Sequence, residues 1–123
     1  MRGISITAAI LMLSAAPVMA GDDPMASYFG NTVVSQGTMG ESVTHYKPDH
    51  TFDAKFSMMG MSQSSTGTWK IDEKGQLCRT YAEPPPGVPN PLCTPLEAHK
   101  VGDSWTMTFN GSTRTVTIKP GIQ

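Results

Sequence analysis

Apolar and polar residues alternate along much of the chain. In segment 51–58 every second residue is apolar, which gives one face composed of Phe52, Ala54, Phe56 and Met58. Segment 104–109 repeats the pattern with Trp105, Met107 and Phe109. Successive side chains of a β-strand point to opposite sides, so a period of two residues is typical of strands that bury one face. The pattern therefore predicts an all-β fold.

Residues that favour turns separate these strands. Asn110-Gly111 lies between segments 104–109 and 112–118, and both residues tolerate the positive φ that a two-residue hairpin turn requires. Strands at such short, regular spacing favour an antiparallel meander. We therefore predict a small closed or half-open β-barrel. The helix signals are confined to segment 22–29, where an acidic cap followed by proline predicts one short helical turn.

The turn around Pro48 sets the register of one predicted hairpin. A three-residue turn at 48–50 places His50 in the left-handed region, which histidine tolerates. The predicted pairs are then Lys47–Thr51 and His45–Asp53 facing solvent, with Thr44, Tyr46, Phe52 and Ala54 facing inward. A two-residue turn at 48–49 shifts every pair by one and turns His45 inward. We favour the first register, because non-primed two-residue turns splay the strands of a hairpin.

The first 20 residues follow a different pattern. Arg2 precedes an apolar run over 4–16, and small residues stand at the −3 and −1 positions of a cleavage site after Ala20. This pattern predicts a signal peptide over 1–20, and the apolar run is too short to span a bilayer. We therefore expect an exported protein, periplasmic or extracellular, with one mature domain over 21–123.

Two cysteines, Cys78 and Cys93, remain in that mature domain. In an exported chain an isolated pair favours a disulfide, and closing a loop of ~15 residues contributes about 3 kcal/mol. Between them lies the proline-rich loop 84–91, which we expect to be exposed and extended because proline cannot donate to a strand ladder. The spacing of the cysteines excludes CxxC chemistry.

The charge of the predicted mature domain is close to balanced. Removing Arg2 from the nine basic residues leaves eight, against ten acidic residues. This balance argues against nucleic acid or an anionic membrane as a partner. We expect no membrane span in the mature form, no cofactor and a monomer.

Five short strings occur in an order that resembles a known group of proteins. They are Gly30-Asn31-Thr32, Pro48-Asp49-His50-Thr51-Phe52, Gly67-Thr68-Trp69, Leu77-Cys78 and Val101-Gly102-Asp103-Ser104-Trp105. In the order of these strings the chain resembles small exported proteobacterial proteins of lipocalin-like β-meander type. In that group the position of His50 is usually occupied by glycine. This group is largely without assigned activity, so the resemblance implies export and fold rather than mechanism.

Catalytic motifs are absent from the sequence, and we expect no enzymatic activity. There is no G-x-S-x-G elbow, and His99, between Glu97 and Asp103, is expected to be a solvated loop residue. Copper is a minor alternative, because thioethers and imidazoles suit Cu(I) and the chain has Met39, Met58, Met59, Met61, His45 and His50. Met58 is eight residues from His50, about 26 Å along a strand, which argues against a mixed site and favours no metal.

Two functional hypotheses follow from the predicted fold. The first is a small apolar ligand inside the barrel, in contact with Tyr46, Phe56, Trp69, Tyr81 and Trp105. On this hypothesis the mouth lies beside the 48–49 turn and the proline-rich loop, with Tyr46 and Tyr81 near its rim. The alternative is an envelope protein that interacts with another protein through an exposed surface. An interior cavity approaching about 300 Å³ favours the ligand, and a packed interior favours the interaction.

Overall fold

The computed structural model describes residues 23–38, 40–85, 87–109 and 111–123. The predicted signal peptide lies outside these residues. Within them the fold is all-β, as predicted, with antiparallel strands β1 (Thr32–Gly37), β2 (Gly40–Tyr46), β3 (Thr51–Met58), β4 (Met61–Ile71), β5 (Gln76–Tyr81), β6 (Leu92–Pro95), β7 (Ser104–Phe109) and β8 (Ser112–Lys119). No helix in the described residues is long and apolar enough to cross a membrane.

The strands form one curled sheet in the order β6-β5-β4-β3-β2-β1-β8-β7. Strands β6 and β7 end this order, and no ladder joins them within the described residues. The sheet is therefore a half-barrel, which confirms the half-open form of the prediction. The β7–β8 hairpin confirms the strands on either side of the predicted Asn110-Gly111 turn, with Phe109 paired to Ser112. Asn110 itself lies outside the described residues.

The hairpin of β2 and β3 has the register that a three-residue turn predicts. His45 pairs with Asp53, Tyr46 pairs with Phe52, and the Lys47 N–H donates to the Thr51 carbonyl at 2.9 Å. His50 has a φ of 70°, the left-handed conformation expected for the third turn residue. Thr44, Tyr46, Phe52 and Ala54 are all buried on the concave face of the sheet.

The half-barrel has one covered end and one exposed end. The covered end contains the turns 47–50 and 72–75 and is packed by segment 23–31, whose Met25 and Tyr28 are buried in the core. This segment forms hydrogen-bonded turns rather than a helix, and the Asp23 carboxylate accepts the Met25 N–H at 2.9 Å. The exposed end contains the turn 59–60 between β3 and β4.

The C-terminal residues return to the start of β1. The Thr32 hydroxyl donates to the Gly121 carbonyl at 2.8 Å, a contact between residues 89 positions apart. The Gln123 N–H donates to the Thr32 hydroxyl at 2.9 Å, and the Gly121 N–H donates to the Asn31 side chain at 2.9 Å. These bonds fix the C-terminal residues beside the covered end.

The predicted disulfide between Cys78 and Cys93 is present, and it joins directly opposed residues of β5 and β6. The proline-rich loop between them is largely exposed, as predicted, and Val88 packs against the core. The Asn90 side chain holds the return of this loop, since it accepts the Tyr81 N–H and donates to the Tyr81 carbonyl.

The two tryptophans differ in burial. Trp69 is buried, with 6% of its surface exposed, and its indole N–H donates to the Lys47 carbonyl at 2.9 Å. Trp105 packs against the core but is only half-buried, because β7 is an edge strand. The alternation in 104–109 thus correctly places Trp105 on the inward face, although its burial is less complete than that of Trp69.

Candidate functional site

The five side chains predicted to contact a ligand all belong to the apolar core of the half-barrel. Three of them, Tyr46, Trp69 and Tyr81, are buried within it. The other two, Phe56 and Trp105, are partly buried against it. The prediction that Tyr46 and Tyr81 lie at an open rim is wrong, since only 3% and 6% of their surfaces are exposed. Segment 23–31 covers Tyr46, and the Tyr28 and Tyr46 rings lie 5.7 Å apart.

A row of aromatic rings crosses the concave face from the covered end toward the exposed end. Neighbouring ring centroids are separated by 5.7 Å (Tyr28–Tyr46), 6.1 Å (Tyr46–Phe52), 5.1 Å (Phe52–Tyr81) and 5.8 Å (Phe56–Tyr81). Such edge-to-face and tilted contacts are favourable between aromatic rings. Close approach of the strands is needed here, because Gly67 of β4 lies against the Phe52 ring and leaves no room for a side chain.

Arg79 of β5 extends into this aromatic core. Its guanidinium donates to the Tyr46 hydroxyl at 2.9 Å and to the Thr94 hydroxyl at 3.1 Å. Tyr28 and Tyr81 also lie close enough to interact electrostatically with it, so all three tyrosines of the chain lie near one arginine. Its Nε atom is buried and has no hydrogen-bond partner among the described residues.

The charge of Arg79 has no anionic partner in the part of the chain that the structure describes. No carboxylate there forms an ion pair with it. Burial raises the pKa of Tyr28 and the pKa of Tyr81, so both hydroxyls stay neutral at physiological pH. Burial alone would lower the pKa of Arg79, but the tyrosine oxygens outweigh that effect and raise it. The Arg79 guanidinium is therefore a cation whose hydrogen-bond partners are hydroxyl groups rather than carboxylates.

Arg114 of β8 has different surroundings near the exposed end. Its Nε donates to the Ser35 hydroxyl at 2.6 Å, and one terminal nitrogen donates to the Ser35 and Gly40 carbonyls at 2.9 and 3.2 Å. Backbone carbonyls carry partial negative charge and suit a guanidinium. Arg114 therefore joins β8, β1 and β2, whereas Arg79 bonds only to hydroxyl groups.

Arg79 is not among the residues that the sequence pattern predicts to contact a ligand. Its position was informative, because Arg79 lies two residues from both Leu77 and Tyr81 and so shares their inward face. A charged residue at an inward position of a strand is unusual unless it is paired. That signal identifies the residue, but not the tyrosines that surround it.

The three histidines are all engaged with neighbouring side chains. The His45 Nδ1 lies 2.8 Å from an Asp53 carboxylate oxygen. The His50 ring stacks on Trp69 with centroids 4.1 Å apart. His99 stacks on Trp105 at 3.5 Å, and its nitrogens lie 3.7 Å from Glu97 and from Asp103. The expectation of a solvated His99 is therefore wrong, since its side chain is only 16% exposed.

Methionines gather at the opposite end of the half-barrel from His45 and His50. Met58 and Met61 pair directly at the end of the β3–β4 ladder, and Met59 lies in the turn between them. Their exposed fractions are 44%, 94% and 75% for Met58, Met59 and Met61. Met39 lies outside the described residues. The length of β3 lies between these three methionines and His50, so a copper site that combines them with His45 or His50 has no support in the geometry.

Two further features do not form an internal ligand site. Asp72, Cys78 and Cys93 lie within metal-binding distance of one another, but both sulfurs are in the disulfide and offer no thiolate. Two grooves of about 500 and 300 Å³ are lined mainly by polar residues of β2, β3 and β4 and by Ala82 and Glu83. No Phe, Tyr or Trp side chain lines either groove, so neither is a cavity among the aromatic rings of the core.

The chain was also compared with proteins that are already known. It matches none of the family models, curated proteins or solved structures with which it was compared. The lipocalin-like resemblance of its short strings therefore stays a prediction.

Proposed function

We propose that this protein is an exported, non-catalytic binding protein whose ligand is a small apolar molecule with an acidic group. The observation that supports this most directly is the cation of Arg79 among the three tyrosines, without a carboxylate partner in the described residues. The disulfide supports export, because such bonds persist in oxidising compartments, whether periplasmic or extracellular.

The chemistry of the Arg79 site favours an anion. Arg79 is partly buried, and its Nε is a buried N–H group without a partner in the described residues. Such a group is costly to leave unpaired, and a guanidinium with a free N–H suits a carboxylate or phosphate oxygen. A tyrosine hydroxyl that accepts from Arg79 keeps its own O–H to donate to such an oxygen. An acidic group beside Arg79 would therefore supply the missing charge and accept these bonds.

The surroundings of the site favour an apolar body for the ligand. Several apolar side chains pack against the core yet keep some exposure, namely Phe29, Phe56, Val88, Leu92, Leu96, Trp105 and Met107. Their exposure follows from the half-barrel, which has no strand ladder between β6 and β7 within the described residues. Neither groove is a cavity among the aromatic rings, so the cavity criterion gives the ligand no support. The proposal rests instead on the incompletely covered core and on Arg79.

The proposal is tested by thermal unfolding in the presence of three ten-carbon probes. Decanoate and decyl phosphate carry the anionic group, and decanol has the same apolar chain without it. We expect the two anions to raise the melting temperature of the wild-type protein by mass action, and decanol to have a smaller effect. No response to either anion would contradict the proposal.

Two arginine variants show whether the response depends on Arg79. Arg79→Met removes the charge while keeping a long side chain, and it should abolish the difference between decanoate and decanol. It should fold, because Arg79 forms no ion pair with the described residues and the change removes only its hydrogen bonds to the Tyr46 and Thr94 hydroxyls. Arg114→Met is the matched control and should keep the decanoate response, since Arg114 bonds to Ser35 and Gly40. Equal decanoate responses in wild type and Arg79→Met would reject the site.

A second candidate function, interaction with another protein, is supported by the edge strand β7. Its sequence, Ser-Trp-Thr-Met-Thr-Phe, contains no charge and no proline, the features that usually protect a sheet edge. The other edge, β6, ends in Pro95. An extended segment of a partner can add to such an edge by backbone hydrogen bonds.

This candidate is tested by site-specific photo-crosslinking in the native envelope. A photoreactive residue replacing Thr106 of β7 should yield a discrete crosslinked species. The same residue replacing exposed Thr80 of β5, an interior strand of the sheet, is the control and should yield none. Absence of a product at 106, or equal products at both positions, would contradict the interaction.

A further inference from the structure

The tip of the β3–β4 hairpin has an unusual composition. Its two turn residues, Met59 and Gly60, have φ values of 50° and 80°, the conformation of a type I′ turn. Asparagine or aspartate normally occupies the first of these positions, because the left-handed conformation costs other side chains free energy. Here the position is a methionine whose side chain is 94% exposed. Neither turn preference nor burial explains that choice.

Three thioethers lie together at this tip. Met58 and Met61 are cross-strand partners, and partners of this kind have Cβ atoms about 5 Å apart on the same face of the sheet. Each sulfur lies two bonds beyond its Cβ, so the two sulfurs can converge on one atom. Met59 is adjacent in sequence, and its flexible side chain can reach the same point. Its exposure leaves it free to do so.

The donor set determines which ion these residues suit. Neutral, soft thioether sulfurs favour Cu(I) over harder divalent cations. Both cysteines form the disulfide, His45 and His50 lie toward the covered end, and His99 stacks on Trp105 of β7. The soft donors that the tip itself offers are therefore the methionine sulfurs.

We propose that Met58, Met59 and Met61 form a thioether site for Cu(I) at the exposed end of the half-barrel. The site is independent of the proposed ligand site, because Arg79 lies among residues of the covered end. It also differs from a mixed Met/His site in its response to pH. Thioethers carry no proton to lose, so binding should not weaken as the pH falls, whereas imidazole and thiolate ligands become protonated.

The proposal is tested by titration of the full protein with Cu(I) under anaerobic, reducing conditions against a competing chromophoric chelator. Ag(I), a soft ion that needs no reductant, serves as a second probe. We expect one ion per chain, with an affinity that changes less than threefold between pH 7.5 and pH 5. A loss of tenfold or more over that range would overturn the thioether assignment.

Leucine variants identify the ligands. The variant Met58→Leu/Met59→Leu/Met61→Leu should bind Cu(I) at least tenfold more weakly, while its unchanged melting temperature shows that it is folded. Met107→Leu is the matched control, since Met107 packs against the core, and it should bind like the wild type. An unchanged affinity in the triple variant would reject the site.

Methyl NMR gives a direct readout of the same ligands. With ¹³C-labelled methionine, Ag(I) should shift the methyl signals of Met58, Met59 and Met61. The signal of buried Met25 should not move. Shifts confined to other methionines, or none at the tip, would contradict the proposal.

Discussion

The covered and exposed ends of the half-barrel are built from the same strands but differ in almost every other respect. At the covered end, Trp69 is held by the Lys47 carbonyl on one side and stacks on His50. Segment 23–31 adds Met25 and Tyr28 to the core. At the exposed end, Met59 and Met61 remain largely exposed. The covered end therefore supplies most of the stabilising contacts. Substitutions at the exposed end should lower the free energy of unfolding by less.

The difference also separates two kinds of polar group. At the covered end Arg79 is partly buried against the aromatic core, and its buried Nε has no partner in the described residues, which is costly. Arg114, toward the exposed end, bonds to backbone carbonyls and acts as a structural link. Arg79 is therefore the stronger indication of a binding role, because its buried Nε lacks a partner in the described residues whereas the Arg114 Nε donates to Ser35.

The largest expected effect is at Trp69. Trp69→Ala should lower the free energy of unfolding by about 3–5 kcal/mol, because it removes a buried ring and a hydrogen bond. Met61→Ala, at the exposed end, should change it by less than about 0.5 kcal/mol. Urea denaturation followed by circular dichroism measures both. Similar losses in the two variants would show that stability is not concentrated at the covered end.

The next largest effect is expected from the disulfide. The double variant Cys78→Ala/Cys93→Ala should be less stable by about 3 kcal/mol, because the unfolded chain regains the freedom of a closed loop of 15 positions. The same denaturation assay, with the oxidised wild-type protein as reference, gives the difference. A loss below about 1 kcal/mol would mean that β5 and β6 hold together without the bond.

Two glycines give a matched test with a smaller expected effect. Gly67→Ala places a Cβ against the Thr80 carbonyl oxygen and 2.8 Å from the Phe52 ring, and should cost about 2–3 kcal/mol. Gly60→Ala, at the exposed end, meets nothing within 4 Å and is opposed only by a φ of 80°, so it should cost about 1 kcal/mol. Equal melting temperatures for the two variants would contradict the packing described around Phe52.

The smallest effect is expected at alkaline pH. The pKa values of Tyr28 and Tyr81 are raised by burial, so above about pH 10 the unfolded chain releases these protons before the folded protein does. Stability is thus complete below pH 10 and falls as the pH rises further. The variant Tyr28→Phe/Tyr81→Phe should show a shallower fall between pH 9.5 and 11 in urea titrations. Parallel curves for variant and wild type would contradict the burial effect.

Local features of this fold could be predicted from the sequence. The register around His50 follows from the length of one turn, and the Cys78–Cys93 bond follows from the presence of only two cysteines after the predicted leader. Each depends on a few residues that are close in sequence or unique in kind. The three thioethers at 58–61 and their distance along β3 from His50 are visible as well, whereas the direct pairing of Met58 with Met61 required the strand ladder.

Features that depend on the order of strands in the sheet could not be predicted. The alternation in 104–109 does not show that β7 lies at an edge, and so it does not show that Trp105 is half-buried. The same limit applies to His99, which is removed from solvent by stacking on Trp105. The tyrosines around Arg79 come from three separate segments of the chain, so only the folded protein brings them together.

The pairing of β1 with β8 has a consequence for how the chain acquires this structure. Strand β1 pairs along one edge with β2, its neighbour in sequence. Its other edge pairs with β8, near the end of the chain, and the bond between Thr32 and Gly121 joins residues 89 positions apart. Contacts between residues so distant in sequence slow folding, because a long loop must close before they form. During synthesis or export the β1 edge therefore stays unpaired until almost the whole chain has emerged. A chain cut before Ser112 would keep that edge permanently open to other strands.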